Sequence, residues 1–294
     1  MKKFLSSYKA VLFLLAVIAL VCVLLVLFLK DSPERSDPSP ILGNGMAQIY
    51  NGSEYRLIIP QEGVPVNELR SSDFKLDRDG EPVYTGSEYE VLKGIDVSTF
   101  QGTIDWKAVK KSGIDFAIMR CSGRGYSQEG PIYPDSQFEE NLEGAKAAGL
   151  RVGVYFFSQA TNVVEAEEEA DYVIGQLDGR ALDLPVFFDW ESISYDEART
   201  DGLDSTTITD CAVAFCERIR SAGYDAGVYF YQQTGYYVYD LSRLTDYRFW
   251  CASIGDYPFF YYAHDIWQYS VDGSVPGIDI SCDMNMLFIK KAVS

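Results

Sequence analysis

The stretch Leu184-Pro-Val-Phe-Phe-Asp-Trp-Glu191 is a short apolar run that ends in two acidic residues. It is one of eight runs after residue 93 that are rich in β-branched and aromatic residues, the composition typical of buried strands. The other seven runs begin at Gly94, Phe116, Val152, Ala226, Phe249, Asp265 and Met284.

Helical patterns separate the first of these runs, at 105–112, 136–148, 164–177 and 206–222. Strands that alternate with helices imply a largely parallel sheet with the helices outside it. The sequence therefore predicts an α/β fold, an irregular TIM-like β/α barrel of eight strands. The last third has no clear helix between its strands, so we expect missing helices there and an antiparallel, irregular arrangement.

In such a barrel the reacting groups lie at the carboxyl ends of the strands. Asp189 and Glu191 stand at one of these ends, and because strand side chains alternate, both point one way while Trp190 points the other. Two carboxylates about 6–7 Å apart along a strand suit acid–base work on a glycosidic bond, since like charges raise one pKa. The alternative is a salt-bridged pair at a strand end.

Composition excludes several classes of function. The chain of 294 residues has 25 Lys and Arg against 43 Asp and Glu, a net charge of −18, which disfavours nucleic-acid binding. Its one histidine, His264, argues against Ser-His-Asp or Cys-His catalysis and falls at the start of a strand, where a structural role is expected. We expect no metal and no cofactor.

The amino terminus carries a membrane signal. Residues 10–29 are uncharged and long enough to span a bilayer, and the lysines of residues 1–9 favour a cytoplasmic amino terminus. The alternative, a cleaved signal peptide, has a shorter apolar region and a small-residue cleavage site. We expect one transmembrane helix, a single-pass protein of the cell membrane, and an extracellular catalytic domain that faces the cell wall.

Two further segments precede the barrel. Residues 30–45 are rich in Asp, Ser, Pro and Gly and predict a solvated linker. Residues 46–93 predict a small β-rich module with a hairpin that turns at Asp79-Gly80. The module is too short for a large core of its own, so it should pack against the barrel, which we place at 94–294.

Four motifs give the barrel a resemblance to a known family. They are Gly94-Ile-Asp-Val-Ser-Thr-Phe-Gln-Gly102, the segment from Phe138 to Ser158, Phe188-Asp-Trp-Glu191, and the closing run from Ile266 to Asn285. In this order they resemble glycoside hydrolase family 25, the lysozymes (N-acetylmuramidases) of fungi, phages and bacteria. The resemblance covers about residues 94–289.

The resemblance implies hydrolysis of the β-1,4 bond between N-acetylmuramic acid and N-acetylglucosamine in peptidoglycan glycan strands. It implies Glu191 as the general acid and Asp189 as the group that stabilises the reacting sugar through its 2-acetamido group. Asp96 and Asp283 would complete an acidic floor. The family is thought to use the substrate's acetamido group, an exception to the two-carboxylate scheme.

Candidate substrate-binding residues are Arg120, Tyr155, Tyr229 and Gln268. Arg120 departs from the Lys-Ala-Thr-Glu-Gly-like run of many family members. It could bind a substrate carboxylate, brace the acidic floor, or form a structural ion pair. Tyr155 and Tyr229 lie on the same strand face as the polar residues at the strand ends, so they could stack on sugars. Most aromatic residues in strands, however, are core residues.

Three other functions stay open at this stage. One is a non-catalytic glycan-binding module on the same fold, because fold alone does not guarantee activity. Another is a barrel hydrolase for a different acetylated polysaccharide. A third is a surface scaffold whose small module binds a protein partner.

Overall fold

The computed structural model of the chain describes residues 41–43 and 45–292. The predicted cytoplasmic segment 1–9, the predicted transmembrane helix 10–29 and most of the predicted linker 30–45 lie outside the described residues. Among the residues it does describe, every helix is too short or too polar to cross a bilayer.

Two small antiparallel hairpins open the described chain. β1 (Ala47–Tyr50) pairs with β2 (Tyr55–Ile58), and β3 (Phe74–Leu76) pairs with β4 (Pro82–Tyr84). The second hairpin turns at the predicted Asp79-Gly80, where the Asp77 carboxylate accepts the backbone N–H of Asp79 at 2.8 Å. Both hairpins lie within residues 46–93, for which the sequence predicts a small β-rich module.

Eight strands close into a barrel, which confirms the predicted fold class. They are β5 (Tyr89–Val97), β6 (Phe116–Arg124), β8 (Arg151–Ser158), β9 (Val186–Trp190), β10 (Ala226–Tyr231), β11 (Arg248–Ala252), β12 (Ile266–Gly273) and β13 (Cys282–Lys290). The first strand, β5, closes the ring by pairing with β6 on one side and β13 on the other. A short strand that the sequence did not predict, β7 (Ile132–Pro134), pairs with the end of β6 outside the ring.

The four predicted helices are present, with ends within about two residues of the predicted ones. They are α1 (Trp106–Lys111), α2 (Phe138–Ala147), α3 (Val163–Leu177) and α4 (Ser205–Ser221). Side chains of Asp105, Asn162 and Asp204 accept backbone N–H groups at the starts of α1, α3 and α4, which are ordinary N-caps.

The last third is more regular than predicted. β10, β11 and β12 run parallel, and only β13 is antiparallel to both of its neighbours. A six-residue helix, α5 (Gln232–Tyr237), follows β10 directly, and the described links from β11 to β12 and from β12 to β13 contain no helix. The expectation of a generally antiparallel region was wrong because long irregular loops still return the chain to the same end of the barrel.

Strand alternation divides the core into two layers. Phe188 and Trp190 face the helices, whereas Phe187 and Trp250 fill the barrel interior. The interior leaves no room for a side chain at Gly94, whose Cβ would lie 2.2 Å from the ring of Phe116. All the predicted site residues that lie on strands point into the barrel, as Phe187 does.

The segment before the barrel packs against it. Gln61 donates from Nε2 to the carbonyl of Tyr239 at 3.0 Å and accepts the N–H of Leu241 at 2.7 Å. Asn67 donates from Nδ2 to the carbonyl of Phe260 at 3.1 Å. These contacts fix residues 46–68 to loops that follow the later strands, so the small hairpins share one core with the barrel.

Candidate active site

The four predicted carboxyl groups come together at one mouth of the barrel. Asp96 lies near the end of β5, Asp189 near the end of β9, and Glu191 directly after β9. Asp283 lies near the start of β13, but because β13 is antiparallel its start is at the same mouth, and Asp283 pairs in register with Asp96. All four line one cavity of about 230 Å³.

Amide side chains hold the Asp96 carboxylate. Its Oδ2 accepts from Asn285 Nδ2 at 2.7 Å and from Gln268 Nε2 at 2.9 Å. Gln268 also approaches Asp283 Oδ2 at 3.4 Å, so one amide bridges the two acids. Asn285 can reach Asp96 because its own cross-strand partner is Gly94, which has no side chain to intervene.

Burial raises the pKa of Asp96 well above its ordinary value, and the neighbouring Asp283 raises it further. The pKa of Asp283 is also raised, again by burial. Two carboxyl groups this close in a site of low dielectric cannot both ionise readily. We therefore expect this pair to retain a proton at pH values where exposed aspartates have lost theirs.

The second pair is Asp189 and Glu191, which line the same cavity and lie two residues apart in the chain. Burial and the charge of Glu191 raise the pKa of Asp189 well above its ordinary value. Burial raises the pKa of Glu191 to about 7. A carboxyl group with a pKa near 7 is protonated often enough at neutral pH to act as a general acid.

One carboxylate oxygen of Asp189 accepts no hydrogen bond from the described part of the chain. The Asp189 side chain is 4% exposed, and its Oδ1 atom has no hydrogen-bond partner among the described residues. A buried polar atom without a partner is uncommon and costs free energy. Asp189 lines the acidic cavity, so a donor on a molecule bound there could satisfy this oxygen.

Glu191 is held through its backbone. Its carbonyl accepts from Gln159 Nε2 at 2.8 Å, and Gln159 in turn accepts from Thr200 Oγ1 at 2.9 Å. Gln159 is fully buried. The sequence showed Gln159 at a strand end but gave it no role, because the partner atom is a carbonyl and leaves no residue signature.

Arg120 lines the same cavity but is committed to an ion pair. Its Nε lies 2.8 Å from Asp135 Oδ2, and its guanidinium lies 5.1 Å from the centre of the Phe100 ring. The Asp135 side chain is fully buried and also accepts the N–H of Thr99 at 2.9 Å. This geometry favours the structural ion pair among the alternatives for Arg120, and its contact with substrate stays a prediction.

The other predicted binding residues occupy different depths. Tyr155 is partly exposed and lines the acidic cavity. Tyr229 is 4% exposed and donates its hydroxyl to Gln268 Oε1 at 2.9 Å. Gln268 is 2% exposed, and neither Gln268 nor Tyr229 lines the acidic cavity. Gln268 donates a hydrogen bond to Asp96, and Tyr229 in turn donates one to Gln268. Direct contact of either residue with a glycan stays a prediction.

His264 lies at the opposite mouth, just before β12. Its Nδ1 is 3.0 Å from the carbonyl oxygen of Tyr262, and burial lowers its pKa. It lines a larger cavity of about 590 Å³ with four acidic residues. Asp225 and Asp265 pair with Arg248, Glu68 pairs with Lys290, and Asp183 accepts the N–H of Val152 at 3.1 Å. The described residues of that mouth offer no free pair of carboxyl groups, so we place the chemistry at the smaller cavity.

Among the described residues, no group of three His, Cys, Asp or Glu side chains is arranged to hold a metal ion.

A closed barrel with paired, buried carboxyl groups at the carboxyl ends of its strands has the architecture of a glycoside hydrolase. A sequence model of one such family, glycosyl hydrolases family 25, matches residues 95–278. The chain belongs to this family.

Relatives agree with the assignment. An autolytic lysozyme of Clostridium acetobutylicum is 31% identical over 196 residues, which are 66% of this chain and 55% of that protein. Lysozyme M1 of Streptomyces globisporus is 28% identical over 207 residues, 66% of this chain and 67% of the relative. The chain thus spans about half the length of the Clostridium relative.

A crystal structure of a bacterial lysozyme from Streptomyces coelicolor has a similar fold. It superposes with a TM-score of 0.52 at 26% identity, over 66% of this chain and 90% of that chain. The similarity therefore covers nearly all of that lysozyme, whereas about a third of the present chain falls outside the superposition.

Proposed function

We propose that the chain is a peptidoglycan muramidase that hydrolyses the β-1,4 bond between N-acetylmuramic acid and N-acetylglucosamine. The observation that carries this proposal is that four carboxyl groups, Asp96, Asp189, Glu191 and Asp283, line one cavity at the barrel mouth, where burial raises the pKa of Glu191 to about 7. Relatives described as lysozymes support the same substrate class.

In the proposed mechanism Glu191 is the proton donor. As the bond from C1 of muramic acid to the bridging oxygen breaks, the oxygen leaves with N-acetylglucosamine and takes the Glu191 proton. Water supplies the hydroxyl group at C1, and its remaining proton restores Glu191. The net reaction consumes one water and leaves the enzyme unchanged.

Asp189 would stabilise the reacting sugar. Its unpartnered Oδ1 is suited to accept the N–H of the 2-acetamido group, which would satisfy that buried oxygen and orient the acetamido carbonyl toward C1. Asp96 and Asp283 would supply negative potential around the positive charge that develops at C1. Their raised pKa values make this potential depend on pH.

We further propose that residues 10–29 anchor the protein in the cell membrane with the barrel outside the cell, facing the wall. Twenty uncharged residues between lysines support this topology. The linker at 30–45 would then give the barrel access to glycan strands near the membrane.

Digestion of purified peptidoglycan by the full chain tests the function. Released fragments are reduced with borohydride and identified by mass spectrometry. A muramidase leaves reduced muramic acid at the new ends, whereas reduced glucosamine would indicate a different glycosidase. Binding to peptidoglycan without any new reducing ends would favour the alternative of a non-catalytic glycan-binding module.

A further inference from the structure

A second cavity of about 420 Å³ opens beside the acidic cavity. Glu191 lines both of them, so the two cavities flank the group that would donate the proton. In the order of strands around the barrel, β5, β6 and β8 line the acidic cavity and β10 and β11 line the second one, so the two cavities lie on opposite sides of the end of β9. The walls of the second cavity are Asn51, Gly52, Ser192, Tyr231, Gln232, Gln233, Thr234, Ala252 and Ile254.

Part of this wall comes from outside the residues that match the family. Asn51 and Gly52 form the turn of the β1–β2 hairpin, whereas the family match begins at residue 95. The hairpin is fixed to the barrel where Gln232 donates from Nε2 to the Tyr50 carbonyl at 2.6 Å. Asn51 also donates from Nδ2 to the Tyr237 hydroxyl at 3.4 Å.

The turn itself is rigidly built. Asn51 is 8% exposed, and its Oδ1 accepts the N–H of Ser53 at 3.1 Å and the N–H of Glu54 at 3.0 Å. Gly52 has φ +99°, a conformation that favours glycine, and a Cβ there would lie 3.7 Å from the Gln232 side chain. A wall that is already ordered loses little entropy when a ligand binds against it.

The chemistry of the cavity suits a neutral sugar. Tyr231 is 39% exposed and Ile254 is 44% exposed, so an aromatic ring and an aliphatic side chain are available to the apolar face of a pyranose. Amide and hydroxyl groups of Gln233 and Thr234 stand beside them. Among the described residues no Lys, Arg or His lines this cavity, which disfavours a sugar that carries a carboxylate.

We propose that the β1–β2 hairpin and Tyr231 form a glycan subsite on the leaving-group side of Glu191, which binds the neutral N-acetylhexosamine of the departing strand. The proposal rests on the proposed function in one respect, because cleavage after N-acetylmuramic acid makes the neutral N-acetylglucosamine the leaving group, and a lining whose described residues include no Lys, Arg or His suits that sugar. It gives the segment before the barrel a direct part in substrate binding.

Kinetics on soluble glycan oligosaccharides of alternating N-acetylglucosamine and N-acetylmuramic acid test the subsite in the full chain. Tyr231→Ala should raise KM about tenfold and leave kcat within about twofold, because it removes binding shared by ground and transition states. Gln232→Leu should also raise KM, since it releases the hairpin. The control is Tyr224→Ala, two residues before β10 begins and outside the second cavity, which should leave KM unchanged.

A binding experiment separates this proposal from the proposed function. The neutral trimer of N-acetylglucosamine is titrated into the full chain and its affinity is measured by calorimetry, with no cleavage required. Binding that weakens about tenfold in Tyr231→Ala, but not in Tyr224→Ala, supports the subsite even if peptidoglycan is not hydrolysed. Equal affinity and equal KM in wild type and Tyr231→Ala, with both proteins folded, would overturn it.

Discussion

Replacement of Glu191 by glutamine should stabilise the protein at alkaline pH. Burial raises the pKa of Glu191 from its ordinary 4.5 to about 7. Below pH 4.5 the carboxyl group is protonated in the folded and unfolded chain alike. Between pH 4.5 and 7 the unfolded chain releases the proton while the folded chain keeps it, so stability falls as pH rises and the loss is complete above pH 7.

The size of the effect follows from the pKa. A tenfold change in proton affinity corresponds to about 1.36 kcal/mol, so ionised Glu191 costs the folded state at most about 3 kcal/mol. Glu191 is partly exposed to solvent, which screens its charge, and we therefore expect about 1–3 kcal/mol. Glutamine carries no charge at any pH and also relieves Asp189 of its repulsion.

Urea unfolding at pH 8 and pH 5 measures this difference. At pH 8 the Glu191→Gln variant should unfold at higher urea than wild type, and at pH 5 the gain should shrink to below about 1 kcal/mol. Glu140→Gln, at an exposed position of α2, is the matched control and should show little change at either pH. A Glu191→Gln protein that is less stable at pH 8, or equally shifted at both pH values, would refute the reasoning.

Asp96→Asn and Asp283→Asn should each lower hydrolysis without loss of the fold, because each removes a carboxyl group from the acidic cavity, and the charge of Asp283 also raises the pKa of Glu191. Full activity of both variants across pH would exclude these residues from the site. The value of kcat/KM should decline as pH rises above about 7, where Glu191 loses the proton that it donates, and a flat pH profile would contradict this. The intact chain should be found in the membrane fraction with its barrel open to protease added outside, whereas mature chains that begin near Asp31 in the medium would contradict the anchor.

Most helices and strands of the barrel could be predicted because their sequence patterns depend on interactions between neighbouring residues. Helices α1 to α4 were found from helical patterns between the strand-like runs, and the alternation along β9 correctly placed Asp189 and Glu191 on one side, where both line the acidic cavity. The hairpin at Asp79-Gly80 followed from turn chemistry alone. These features depend on neighbours within a few residues.

Features that depend on distant pairings were not predictable from the sequence. Asn285 supports Asp96 because β13 runs antiparallel to β5, and that register joins residues almost two hundred positions apart. Asp135, the partner of Arg120, follows the unpredicted strand β7. Asn285 shares the face of Asp283, so alternation could have suggested it once Asp283 was chosen.

The burial of Tyr229 has the same origin. The alternation along β10 placed Tyr229 on the correct face of the strand. How deeply Tyr229 is buried depends on the Trp250 ring, whose centre lies 4.6 Å from that of Tyr229, and on Gln268, which accepts its hydroxyl. Parity tells which face a side chain occupies and not how far it lies from the mouth. Tyr231, two residues further along β10, is the more exposed aromatic at the second cavity.

One measurement tests whether Glu191 is the proton donor for cleavage of the glycan. The rate at which Glu191→Gln and Asp189→Asn release new reducing ends from peptidoglycan is compared with that of wild type at equal concentration. General acid catalysis typically contributes about 10²–10⁴-fold, so Glu191→Gln should lose turnover by roughly that factor while it still binds glycan. Asp189→Asn should be severely impaired as well. A Glu191→Gln protein that releases ends at close to the wild-type rate would show that the acid lies elsewhere.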